Sequence, residues 1–325
     1  MTSFKWDTYN FTDYINYKEN EMINLPPGVL ISTITASAKR KEEDDGLGTN
    51  VNNENIFKYL KLNTDDILMI KKDKEKKRSI IPEKKKKRRT KKTKVTKKQS
   101  SHFYHQITVV VRVFEGEYED LNDVKKINFK VFKNGSIQMS GIKKLEYVNR
   151  AINKLIYRLQ QVKGILVTDE ETEKKSMNEI KFVEEPEKLN LKNFKLDMIN
   201  SNYTVNMHID RKKLYNILLN RKVNAIYEQL TRACVIVKYM PREENPNLKE
   251  ISIFIFQKGN IIITGAKSKK HITAAYNYLN NILLNHKNEI IKKTDEEEKT
   301  ELMNLYDSVM TENSHKIDQI MEVGY

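Results

Sequence analysis

The sequence predicts an α+β fold made of two copies of a β-α-β-β-β-α unit, and three observations carry that expectation. The stretch IFIFQKGNIIITGAK, residues 253–267, nearly repeats FKVFKNGSIQMSGIK, residues 129–143, with no gap from Phe132 and Phe256 onward. Between residues 132–156 and 256–280 about 8 of 25 positions are identical, and the same order of strands and helices surrounds both stretches. Alternation within the strands gives each copy one apolar face for helices and a second face of different character.

A chain of 325 residues, 38% hydrophobic and 32% charged, is long enough for two ordinary domains and a substantial core. One cysteine, Cys234, excludes an intramolecular disulfide framework and a cysteine zinc site, and fits a reducing compartment. No apolar run reaches the roughly 18 residues of a membrane span, and the amino end lacks a secretory core, so a soluble intracellular protein is expected. The net charge of +15 is concentrated: residues 71–98 hold 17 Lys or Arg against 3 acids, while residues 295–325 sum to about −7.

Residues 1–26 are polar with scattered aromatics and read as an amino-terminal extension. The first repeat spans 27–164. It begins with the β-branched VLISTITA (Val29–Ala36) and a helix NENIFKYLKL (Asn53–Leu62) with Ile56, Tyr59 and Leu60 at helical spacing. A Lys/Arg-rich insertion over 71–101 is expected to be disordered. Strand QITVVVRVF (Gln106–Phe114), an acidic loop and the hairpin follow, closed by a helix over Leu145–Leu159 whose Val148, Ile152, Leu155, Ile156 and Leu159 share a face. Residues 165–190, charged and containing Pro186, read as a linker. The second repeat, 191–290, runs as strand Phe194–Ile209, helix Arg211–Asn220, strand Ala233–Met240, hairpin, and helix His271–His286. Residues 291–325 read as an acidic helical tail carrying Leu302, Leu305, Val309 and Met310.

Splitting the strands by parity assigns Val109, Val111, Val113, Phe129, Val131, Ile137 and Met139 to the helix-facing side of the first copy. Thr108, Val110, Arg112, Lys130, Phe132, Gln138 and Ser140 fall on its other side. In the second copy the helix-facing set is Val235, Val237, Tyr239, Ile253, Ile255, Ile261 and Ile263. The opposite set is Cys234, Ile236, Lys238, Phe254, Phe256, Ile262 and Thr264. The outer face of an antiparallel sheet is normally polar. A largely apolar one marks a binding surface or another covering layer.

The pattern F-x-x-G-x-I-x-x-[ST]-G-x-K, the element order and the single duplication together resemble the TATA-box-binding protein family, in a divergent form. FQKGNIIITGAKS is close to that family's pattern and FKNGSIQMSGIKK is a looser version. The resemblance covers roughly residues 27–290 apart from the insertion and linker. It implies a saddle: a curved antiparallel sheet with helices on the convex side and a concave face for the minor groove of duplex DNA. There A·T pairs present only acceptors, so an apolar floor strands no donor, and aromatic wedges kink the duplex. Of the two wedges per repeat, Phe132 and Phe256 match the one before the Gly turn, whereas the other falls on Gln106 and Arg232. The resemblance further implies DNA contacts from Ser140 and Thr264, Arg112 and Lys238, Lys143 and Lys267. It adds Phe254 and Ile262, whose first-copy counterparts are Lys130 and Gln138. The family's central Asn falls on Val29 and Met198, with Asn200 two residues on. The implied saddle is asymmetric, with a wedge-type second repeat and a more polar first.

The function implied is that of a general transcription initiation factor that binds A·T-rich double-stranded DNA and recruits a transcription factor IIB-like factor and RNA polymerase machinery. No enzymatic activity, cofactor, metal or membrane is expected. The richness in Lys, Asn and Ile fits an A·T-rich genome, of a large DNA virus or a protist, and so a nucleus, a cytoplasmic viral factory or a virion. Two other classes stay open. One is a scaffold or non-specific DNA-binding protein on the same fold, without TATA-selective bending, which the missing wedges permit. The other is an enzyme on a related helix-on-sheet fold, such as a DNA glycosylase. Against the enzyme stand three absences: there is no Gly-Lys-Ser/Thr phosphate loop, HFYH (His102–His105) lacks a third ligand nearby, and Cys234 has no His beside it in sequence.

Overall fold

The computed structural model describes residues 24–42, 45–72, 76–82, 105–114, 121, 123–168, 175–241, 250–292, 299–300 and 302–311. The chain divides into two compact units, Met1–Ser201 with Thr264–Ile272, and Asn202–Ile263 with Thr273–Tyr325. Most of the expected basic arm, the acidic loop of the first repeat and the ends of the chain lie outside the described residues.

In the first unit the elements are β1 (Leu30–Ala38), α1 (Asn53–Tyr59), β2 (Ile67–Lys71), β3 (Lys77–Ser79), β4 (Gln106–Arg112), β5 (Lys126–Phe132), β6 (Ile137–Ile142), α2 (Glu146–Gln160), β7 (Lys163–Thr168) and β8 (Lys175–Ile180). With β9 (Phe194–Thr204), its strands lie in the order β9-β1-β6-β5-β4-β2-β3. The pairs from β1 through β3 are antiparallel. The seven residues assigned to the helix-facing side are all buried, as are Val148, Ile152, Leu155, Ile156 and Leu159 of α2. Alternation placed these seven correctly, but Val110, assigned to the other side, is buried as well.

The second unit contributes α3 (Arg211–Asn220), β10 (Ala225–Ile226), β11 (Cys234–Tyr239), β12 (Ile251–Phe256), most of β13 (Asn260–Ala266), most of α4 (Lys269–Asn285) and α5 (Lys287–Ile290). Its strand order is β10-β11-β12-β13-β9, so the first strand of each repeat lies beside the last strand of that repeat's hairpin. Val235, Val237, Ile253, Ile255, Ile261 and Ile263 are fully buried, together with Leu214 and Leu218 of α3 and Ala275 and Leu279 of α4. Tyr239, the remaining helix-facing residue, stacks on Tyr278 of α4 with ring centroids 4.6 Å apart.

One backbone device recurs in both copies. After β1 the chain crosses the hairpin turn, where Leu47 N–H donates to the Gly135 carbonyl (2.9 Å) and Val51 N–H to that of Lys133 (2.8 Å). After β9, Val205 N–H donates to the Gly259 carbonyl (2.9 Å) and Ile209 N–H to that of Gln257 (2.7 Å). In each case the next residue is the helix N-cap: the Asn52 side chain accepts from Asn55 N–H, and that of Asp210 from Lys212 and Lys213 N–H. Gly135 and Gly259 have φ of +81° and +78°. A Cβ on Gly135 would collide with the Thr49 carbonyl, and one on Gly259 with those of Val205 and Met207. The Gly of the repeated motif is therefore required twice over.

Several expectations are corrected. The strand expected to reach Ile209 stops at Thr204, because residues 205–209 leave the sheet to bond the turn. The helix expected to reach Leu62 stops at Tyr59, where Arg78 donates to the Phe57 and Lys58 carbonyls and Lys163 to that of Tyr59. The insertion expected to be disordered from Lys71 begins with order, since Lys77–Ser79 pairs with β2. The linker expected over 165–190 contains most of the β7–β8 hairpin, and Phe182, Val183 and Leu189 are buried.

Gly259→Ala is expected to destabilise the second unit by at least about 2 kcal/mol, from the left-handed backbone plus the carbonyl clash. A urea titration following intrinsic fluorescence checks this; a midpoint equal to that of the unsubstituted chain would refute the steric account.

Candidate nucleic-acid interface

Cross-strand register converts the outer faces into rows. In the first unit Thr108 lies opposite Lys130, Lys130 opposite Gln138, and Gln138 opposite Ser37. Ser37 then donates to Asp197 Oδ1 on β9 at 2.9 Å. The result is a polar row, Thr108–Lys130–Gln138–Ser37–Asp197, across five strands. In the second unit Ile236 lies opposite Phe254. Ile262 occupies on β13 the motif position that Gln138 holds on β6, and Phe254 and Ile262 are half-buried. The same architecture thus presents a polar row in one copy and an apolar row in the other.

Phe132 and Phe256 end β5 and β12 and are half-buried. Phe132 borders two open hollows. One, of about 580 Å³, is also lined by Ser37, Lys39, Arg40, Lys41, Gln138 and Asp197. The other, of about 440 Å³, is lined by Asn50, His105, Lys133 and Asn134. Basic groups stand at both aromatic ends. Arg40 is tied to the first hairpin through Asn134 O and Ser136 Oγ, while Arg211 donates to Gln257 Oε1 beside the second Phe and to the Arg232 carbonyl. The run Lys39-Arg40-Lys41 directly after a strand is a signal in the sequence for these contacts, whereas nothing local to Ser37, Asp197 or Arg211 marks them.

The other expected residues sort as follows. Lys130, Lys143 and Lys267 are exposed, and Gln138 and Ser140 are half-buried on the outer face. Lys238 donates to Ser252 Oγ at 2.7 Å, across the β11–β12 register. Asn200 and Thr264 are brought together: the Thr264 hydroxyl bonds the Asn200 side-chain oxygen and lies 3.4 Å from Met198 Sδ.

Two residues are corrected. Arg112, expected on the open face, is only 2% exposed; its guanidinium donates to the Thr64 carbonyl at 2.7 Å and sits 3.8 Å from Asp65. The loop 63–66 closes over it, with Lys154 donating to Asp65 O and Arg158 pairing with Asp66. Arg232 precedes β11 instead of standing on it, and its backbone N–H and side chain turn to Glu228. Register puts Gln106 opposite Phe132 and Cys234 opposite Phe256, so the second-copy counterpart of Gln106 is Cys234. Burial pushes the Cys234 thiol up, against the weaker pull of Arg232 and Arg211. That is the opposite of what an activated nucleophile needs. Among the described residues no group of three His, Cys, Asp or Glu is placed to hold a metal ion; His102 lies outside them.

Comparison with known proteins finds sequences and a structure similar to this chain. The family model described as transcription factor TFIID (or TATA-binding protein, TBP) matches residues 193–286. A protein of Acanthamoeba polyphaga mimivirus described as TATA-box-binding protein-like is 36% identical over 194 residues, covering 56% of this chain and 48% of its own length. The chain thus spans about half the length of that relative. Among solved structures, Methanococcus jannaschii TBP matches with a TM-score of 0.43 at 16% identity, over 80% of this chain and 99% of that one.

Arg112→Ala is expected to lower stability by about 1–3 kcal/mol, through the Thr64 carbonyl left without its donor. Duplex affinity of the folded fraction should stay within about twofold, the small effect expected of a residue that touches no ligand. Thermal melting with an anisotropy titration separates the two; a large affinity loss at unchanged melting would return Arg112 to the binding face.

Proposed function

We propose, from the premise that this chain is a divergent TBP-like protein whose residues 193–286 match the family's domain, that it is a transcription initiation factor seated in the minor groove of duplex DNA. The observation that carries this reading is the half-buried pair Phe254 and Ile262 with Phe256 at its edge and the buried Ile236 opposite Phe254, an apolar outer face where an antiparallel sheet is ordinarily polar. A face without donors or acceptors suits an A·T floor that offers only acceptors. Phe132 and Phe256 act as wedges between base steps. Arg40 and Arg211, with Lys143 and Lys267, contact the phosphates beside them. The remaining basic arm adds affinity that is independent of sequence.

The same reading gives the chain a transcription factor IIB-like partner and an RNA polymerase, in a viral setting like that of the mimivirus relative. It acts by binding, without catalytic chemistry. Among the described residues no helix is long and apolar enough to cross a membrane. One observation favours a second reading, a scaffold that binds duplexes without bending them selectively: Gln106 and Cys234, not aromatics, stand opposite Phe132 and Phe256.

Bending of an A·T-rich duplex, read by energy transfer between its ends, separates the two. Bending by the intact chain is expected to disappear in Phe254→Ala plus Phe256→Ala, with affinity reduced by the about 1.5–3 kcal/mol that each buried Phe contributes. Unchanged bending in a folded double variant would sink the wedge mechanism. No bending by the intact chain would support the scaffold.

Deleting residues 83–98, with 11 Lys and Arg against one acid, should weaken binding to all duplexes alike and flatten its salt dependence. Titrations at several salt concentrations check this. Loss of preference among sequences would instead show that the arm reads bases.

A further inference from the structure

We propose that the first unit reads the exocyclic amino group of a guanine through the Asp197 carboxylate, so that its preferred half-site contains a G·C pair. This rests on the duplex-binding reading above. Asp197 ends the polar row Thr108–Lys130–Gln138–Ser37–Asp197 and lines the same hollow as Phe132. Ser37, 3% exposed, donates to one of its oxygens at 2.9 Å and so fixes the direction of the carboxylate. An ionised carboxylate has about four acceptor sites, so one bond from Ser37 leaves capacity for a ligand donor.

The chemistry of the groove then selects the base. On the minor-groove floor, adenine N3, thymine O2, cytosine O2 and guanine N3 are all acceptors, and the guanine N2 amino group is the donor. A carboxylate laid against A·T pairs would face only acceptors, within a wall of phosphates. Against G·C it gains a charge-assisted bond. Lys39, Arg40 and Lys41 line the hollow with it and compensate its charge where the phosphate backbone approaches. Gln138, next in the row, carries an amide donor for the acceptor that lies beside the amino group. In the second unit Phe254 and Ile262 take the places of Lys130 and Gln138, and that row offers no acceptor to a guanine. Guanine readout therefore belongs to one half of the site.

Replacing guanine by inosine removes the N2 amino group and leaves the major-groove edge unchanged, which makes it the direct probe. The full chain is titrated against short A·T-rich duplexes in which a single G·C or inosine·C pair is moved through every position. At one position in one half, G·C is expected to bind about tenfold more tightly than inosine·C. Asp197→Ala should abolish that difference while binding to all-A·T duplexes persists. Asp197→Asn keeps the shape and one acceptor oxygen, and it should retain a reduced preference. It also serves as the readout if the alanine variant does not fold. Equal affinity for guanine and inosine at every position, with duplex binding intact, would overturn this inference and leave the proposed function standing. No binding to any duplex would overturn both.

Discussion

In both copies the segment after the first strand lays its backbone across the glycine of the hairpin turn, and the rest of the architecture depends on that contact. Leu47 and Val51 bond the turn at Gly135 and Lys133; Val205 and Ile209 bond it at Gly259 and Gln257. The contact requires a residue without Cβ at positive φ, hence the invariant spacing of the repeated motif. It also fixes where the helix begins, because Asn52 and Asp210 cap the helices one residue later. Phe132 and Phe256 precede the turn glycines by three residues and so stand at equivalent sheet ends in the two copies.

Upon that common frame the outer faces diverge in chemistry. Buried, helix-facing positions are apolar in both copies, because exchanging them would cost the core. Outer positions are under no such constraint. Lys130, Gln138, Ser37 and Asp197 make a hydrogen-bonding face in one unit, and Ile236, Phe254 and Ile262 an apolar one in the other. Two copies of one fold thus carry two outer faces of different chemistry. A surface can discriminate by attracting the right partner and by stranding polar groups on the wrong one. In the proposed reading the Asp197 carboxylate, in one hollow with Phe132, Lys39, Arg40 and Lys41, supplies the second.

The fold was legible where one strand or helix decides the outcome. Period-two alternation separated Phe129, Val131, Ile137 and Met139 from Lys130, Phe132, Gln138 and Ser140, and burial agrees. Helical spacing found the buried face of α2. What escaped depends on neighbours distant in sequence. Parity placed Arg112 on the outer face, but only the folded chain brings Thr64 and Asp65 over it. The Ser37–Asp197 bond joins residues 160 apart, and the row it completes exists only once three registers are known. Register likewise shows Cys234, not Arg232, opposite Phe256. The short strands β3, β7 and β8 were hidden by charged composition, although Ile165, Leu166 and Val167 carried a strand signal of their own.

The central claim is that two like-built sheet faces read DNA differently. Selection of bound sequences from a random duplex pool tests it most directly. The account predicts an enriched site with unlike halves, one of flexible A·T steps and one including a G·C pair. A site with two equivalent A·T halves, or a pool left unenriched, would contradict it.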